Sequence, residues 1–262
     1  MTSKETKFGR AAKRWISPIL FVLVWELVGR FGWVDAFFLP QPTNIIKAMY
    51  RMAASGVLFK HMEASIYRAL SGYILAALLG IGFGIAICWS RVVENILDPL
   101  FELIRPISTL ALVPLMIIWF GIGNGSKIAI VFKACFFPIL LNTVAGIRGV
   151  NLKLIQAGRS LGANELQIWS KVILPAAMPV IFTGMRISTA ISMLAIVGVE
   201  MISSDSGLGF LIIDSERVFA TDKMFVGILT LSALGFLMDY IARIAGRQFL
   251  SWHMGTLATG RI

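Results

Sequence analysis

Long, unbroken apolar runs govern what this sequence can fold into. They recur at about residues 15–34, 66–90, 99–121, 127–147, 176–200 and 224–246. Each is close to the roughly 20 residues that an α-helix needs to cross the hydrocarbon core of a bilayer. Lipid admits only structures that satisfy their own backbone hydrogen bonds, so the choice lies between helices and closed barrels. Barrel strands would alternate apolar and polar positions over short lengths, and these runs do not. The residue balance agrees. Hydrophobic types make up 57% of the 262 residues and charged types 15%, whereas a water-soluble domain is about a quarter charged. The expected fold class is an all-α integral membrane protein with about six transmembrane helices.

The net charge of +10 sits mostly between the runs. That is the distribution of the positive-inside rule, and in so apolar a chain it speaks against a nucleic-acid partner. A cytoplasmic N-terminus gives the better bias. It puts Lys4, Lys7, Arg10, Lys13, Arg14, Arg91 and the basic residues of 148–175 on one side, and Lys47, Arg51, Lys60, Lys127, Arg217 and Lys223 on the other. Six crossings then return the C-terminus, with Arg247 and Arg261, to the cytoplasm. The run Trp15–Val34 is long and no small-x-small cleavage site follows it, so it reads as a retained span and not a signal peptide. Between the first two runs, Pro40 and Pro42 re-aim the chain, and residues 44–62 suit an amphipathic helix lying at the interface.

Chemistry-bearing motifs are absent. Cys88 and Cys135 lie in apolar runs and His61 and His253 are far apart, so no metal centre is expected and the thiols read as free and buried. The stretch Gly121–Lys127 resembles a phosphate loop only superficially. Ser126 precedes the Lys and Ile128 follows it, with no strand before; a tight external turn is expected. No catalytic residue is assigned.

Some polar and small residues do stand out inside the runs. Ionisable groups there face protein or water. Glu26 and Arg30, Glu102 and Arg105, and Asp239 and Arg243 have the spacing of helical ion pairs. Lys133 and Arg186 lack a local acid, so each can snorkel, pair across helices or line a polar path. Glu200 precedes Ser203–Gly209, where a re-entrant or interfacial segment with solute contact is conceivable. Gly72, Ala76, Gly80 and Gly84 make one helix face smooth, which suits close packing within the chain or against a second copy.

The most patterned segment is polar. Residues 151–160 suit a short helix, Gly162 a left-handed turn, and 164–173 a second short helix closed by Pro175. This stretch resembles the EAA loop of ABC-importer permeases: Glu-Ala-Ala, three residues, Gly, nine residues, Ile-x-Leu-Pro. Gln156, Ala157 and Gly158 stand at the first three positions, Gly162 at the Gly, and Val172, Leu174 and Pro175 at the end. Gln for Glu, Gly for Ala and Val for Ile are departures, and the spacing is intact. Arg105-Pro106 through Pro114-Leu115, Trp119–Gly123, Phe136-Phe137-Pro138 through Asn142, Ser206–Phe210 and the ending near Trp252 resemble the nitrate/sulfonate/taurine-type branch.

The resemblance implies a type I ABC-importer permease fold. Its permease core would cover 61–246, after an N-terminal tail, first helix and external segment at 1–60 and before a cytoplasmic tail at 247–262. It also implies that 151–175 couples to a separate ATPase, which is present in two copies and carries the ATP and Mg, this chain holding no cofactor. A second permease copy, a homodimer, would complete the pathway, and an external binding protein would deliver a small anion across the bacterial inner membrane. The rival readings are a stand-alone carrier, which should show internal repeats, and a membrane-embedded enzyme, which should show a convergent nucleophile or metal set.

Overall fold

The computed structural model describes residues 7–35 and 37–249. Lys4, Trp252, His253 and Arg261 lie outside the described residues. The first apolar run falls in α1, Lys7–Arg30. Near its end the Glu26 carboxylate accepts from Arg30 Nε at 2.7 Å, so that expected pair forms. The same carboxylate accepts from the Thr43 N–H at 3.1 Å and from its hydroxyl at 3.0 Å. It thereby caps α2, Pro42–Ala54, whose own N-cap residue Gln41 makes no side-chain cap.

Helix α2 buries Ile45, Ala48 and Met52, the one-sided spacing of an amphipathic helix. It is shorter than the 44–62 expected. Gly56, at φ 76°, turns the chain, and residues from Val57 onward belong to α3, Val57–Trp89. The expected span 66–90 is thus the latter part of a longer helix.

The expected span 99–121 is broken. Helix α4, Arg91–Ile104, ends before Pro106, and an irregular stretch and one 3₁₀ turn at Leu110–Leu112 lead into α5, Val113–Phe120. Pro106 has no N–H to give the preceding turn, while Pro114 falls in the first turn of α5, where none is needed. Apolar content hides this break because both halves are equally apolar.

Helix α6, Asn124–Arg148, lies along α3. The small-residue stripe of α3 makes that contact. A Cβ on Gly72 would come within 2.7 Å of Val131 Cβ, one on Gly80 within 3.1 Å of Ile139 Cγ2, and one on Gly84 within 2.6 Å of Thr143 Cγ2. Ala76 is fully buried. The smooth face is used within the chain.

The polar connection forms α7, Leu152–Ser160, and α8, Glu165–Ile168. The second short helix does not end at Pro175. A π-turn at Trp169–Ile173 carries it into α9, Leu174–Ser203, so Glu165–Ser203 is continuous. The widened turn accommodates the missing Pro175 N–H, which would break a regular helix. A short helix α10, Leu208–Arg217, and the long α11, Thr221–Phe249, complete the chain.

Among the described residues, α3, α6, Glu165–Ser203 and α11 are long and apolar enough to cross a membrane. Large apolar side chains such as Leu78, Ile118, Leu194 and Phe236 point outward, as a lipid-facing surface requires. The core lies between α3, α6 and α9, with Ile130, Val131, Ile139 and Ile196 almost fully buried.

Candidate functional site

Two regions carry polar structure. The first is the connection between α6 and α9. Asn151 caps α7 by accepting from the Lys153 N–H at 2.9 Å. Gly162 turns the chain at φ 79°. Asn164 and Gln167 then form a reciprocal capping box, at 2.9 and 3.0 Å, that starts α8.

The underside of this hairpin is apolar and packed. Ile168 is fully buried with Ile147, Ile173, Ala177 and Ile181, and Trp169 meets Trp89 at 4.9 Å. The two ends of the motif meet here, because a Cβ on Gly158 would lie 3.6 Å from Val172 Cγ2. Leu174 and Pro175 are half-buried at the start of α9, while Gln156, Ala157 and Gly162 face outward. The outer surface is unusually apolar for a polar connection. Leu152, Leu154, Leu161 and Leu166 are exposed, Leu161 at 88%.

The second region is the set of charges inside the bundle. Arg68, on α3, is buried and donates to Glu200 on α9 at 2.8 Å. It also donates to Asn124 Oδ1 at 2.7 Å, to the Ser206 carbonyl at 2.7 Å and to the Ser206 hydroxyl at 2.8 Å. Glu200 further accepts from the Ser65 hydroxyl at 2.7 Å and the Gly209 N–H at 3.0 Å. Glu200 is fully buried, so the expectation of solute contact there gives way to an internal ion pair. It ties α3 to the end of α9 and the turn into α10, at the end of the bundle away from 151–175. Exposed Asp205 nearby has its carboxyl held below the usual range, mainly by a backbone hydrogen bond.

Arg186 also has a partner. It donates to Asp239 on α11 at 2.8 Å, and Arg243 holds the same carboxylate. The absence of a local acid therefore meant pairing across helices. Glu102 and Arg105, in contrast, form no ion pair.

Lys133 remains without a carboxylate among the described residues. Its ammonium crosses from α6 to the break in the neighbouring helix, donating to the Ile107 carbonyl and, at 3.3 Å, to the Thr109 hydroxyl. Lys127, near the start of α6, is buried and donates to the carbonyls of Ile122 and Gly123 at 2.6 and 3.1 Å. It closes the glycine-rich turn.

A cavity of about 490 Å³ opens between α2, α3, α10 and α11. Arg51, His61 and Lys223 line it together with Asp214, and Asp222 lies 3.8 Å from Arg51. These charges largely balance, so the cavity selects neither sign.

Residues 76–250 match the family model for the "Binding-protein-dependent transport system inner membrane component". A candidate aliphatic sulfonates transport permease protein of Bacillus subtilis is 39% identical over 94% of this chain and 91% of its own length. The taurine transport system permease protein of Escherichia coli is 36% identical over 89% of this chain and 87% of its own. Among solved structures, an inward-facing methionine ABC transporter matches with a TM-score of 0.65 at 17% identity, over 75% of this chain and 98% of that one. That likeness concerns the fold.

Proposed function

The chain belongs to the family of binding-protein-dependent transport system inner membrane components, and from that premise we propose how it is driven and what it carries. It is the membrane-spanning permease subunit of an ABC importer, a multi-pass inner-membrane protein. It is not an enzyme: the ATPase is a separate subunit, and a solute-binding protein is a further partner.

In the proposed arrangement, residues 151–175 receive the motion of the ATPase. The observation that carries this is the exposed apolar surface of the α7–α8 hairpin, led by Leu161, on a packed base continuous with α9. A lever needs a stiff attachment and an uncovered contact face, and this hairpin has both. Because α8 and α9 are one helix, a push on the hairpin moves a membrane-crossing helix with it, the coupling that alternating access requires. Two ATPase copies, holding ATP and Mg, would engage two copies of this chain, with N- and C-termini on the ATPase side.

The solute proposed is a small organic sulfonate. The relatives named for aliphatic sulfonates and taurine support this, and so does a Lys133 ammonium that no carboxylate among the described residues neutralises. The test is the assembled complex with its ATPase and binding protein in vesicles. Gly162→Trp should abolish ATPase capture, and a panel of anions should show ATP hydrolysis stimulated by sulfonates. Retained capture would remove the coupling role, and indifference to every sulfonate would remove the substrate class.

A further inference from the structure

The break in the α4–α5 span is where charge and irregular backbone coincide inside the membrane. Lys133 lies nine residues from the start of α6 at Asn124, about 14 Å along it at the rise of an α-helix. Its hydrogen bonds to Ile107 and Thr109 fix the break at the same depth. The break is held on both sides. Phe101, one turn before it, packs against Phe136 and Phe137 at 5.5 and 6.0 Å. Val113, just after it, is buried, and Leu110 seats against Gly198 of α9.

The other face of the break is open. Arg105, Pro106, Ile107 and Ser108 are exposed. Irregular backbone at membrane depth is tolerated only inside protein or along water, and an intramembrane arginine obeys the same limit. Arg68 has a carboxylate in Glu200, and Arg186 and Arg243 share that of Asp239, while Lys127 rests on two carbonyls at the turn into α6. Among the described residues Arg105 and Lys133 have no carboxylate, and Glu102, a turn before Arg105, is not paired with it.

We propose that this break, with Arg105 and Lys133, is the point inside the membrane where the permeating anion is held. The inference rests on the sulfonate reading above and deepens it. A guanidinium fork fits two oxygens of a sulfonate, while an ammonium acts as a point charge for the third. Lys133 already gives hydrogen bonds to the break, and this limits how tightly it binds, as release into the cell requires. The site is stationary in the protomer and becomes accessible from either side as the copies rock.

The complex reconstituted with its ATPase and binding protein tests this with ethanesulfonate as probe. Arg105→Gln and Lys133→Gln should each lower uptake per ATP hydrolysed by about tenfold, the scale of one lost charge-assisted hydrogen bond, with Arg105→Lys in between. A packing defect would lower uptake and hydrolysis together. If wild type takes up ethanesulfonate and the neutral variants keep its yield per ATP, the site is wrong and the sulfonate reading stands. If wild type moves no sulfonate, both fall. Should the neutral variants fail to assemble, Ser108→Cys in a chain lacking Cys88 and Cys135 keeps the charges intact. A sulfonate-bearing methanethiosulfonate reagent should modify it faster than a cationic one, and ethanesulfonate should protect it. Equal rates, no protection or an unreactive thiol would overturn the site.

Discussion

Arg68 and Glu200 meet at 2.8 Å inside the bundle although 132 positions separate them in the chain. With Ser65, Asn124, Ser206 and the Gly209 N–H also engaged, both ions make several hydrogen bonds. Such a pair adds little beyond an apolar equivalent, but breaking it strands a buried charge. Arg68→Leu or Glu200→Leu alone should destabilise the protein by about 3–5 kcal/mol. The double substitution should recover a large part of that loss. Denaturation midpoints of the four proteins in detergent give the answer, and strict additivity of the two single losses would refute the coupling.

Gly207 makes that pair accessible to the chain. It sits at φ 114°, and a Cβ there would fall 2.2 Å from the Glu200 carboxylate. Gly56 also has positive φ, at 76°, but a Cβ there meets open space. Gly56→Ala should therefore cost only the left-handed backbone strain, about 1–2 kcal/mol. Gly207→Ala should cost clearly more, because φ 114° with ψ 168° is a conformation nearly confined to glycine and the new Cβ must also displace the carboxylate. The two unfolding midpoints check that order, and a Gly207→Ala loss no larger than that of Gly56→Ala would refute it.

Much of this architecture is legible in the sequence, and the illegible parts have a common cause. Apolar runs locate α3, α6, α9 and α11 because lipid imposes a length on each. Asn164, three residues before Gln167, and Gly162 announce the α7–α8 hairpin by local hydrogen bonding and backbone freedom. What local spacing misses is long-range pairing. Arg186 has no acid one turn away because its partner Asp239 is on another helix. Arg68 has the same signature, and matching it with Glu200, another solitary intramembrane ion, would have been the one clue to the buried pair. The break at Pro106 is masked because hydropathy averages across it.

The α3–α6 contact depends on backbone approach. Gly72 and Gly84 would place a Cβ 2.7 and 2.6 Å from Val131 and Thr143, whereas Gly82, on the same helix, faces open space. Gly82→Ala should leave stability unchanged or raise it by up to about 1 kcal/mol through helix propensity. Gly72→Ala and Gly84→Ala should each cost about 1–3 kcal/mol by forcing the helices apart. A loss at Gly82 equal to those two would show that a property of α3 itself, and not its contact with α6, sets the effect.

The α7–α8 hairpin separates stiffness from contact. Asn164→Ala removes the capping box that starts α8 and should destabilise the hairpin by about 1 kcal/mol. Leu161 is 88% exposed, so Leu161→Ser should leave the unfolding midpoint in place while weakening capture of the ATPase. The two variants should thus diverge, Asn164→Ala in thermal stability and Leu161→Ser in affinity. Measuring both quantities on both variants tests the lever directly. If Leu161→Ser binds the ATPase as wild type does, the exposed apolar tip is not the surface through which force enters.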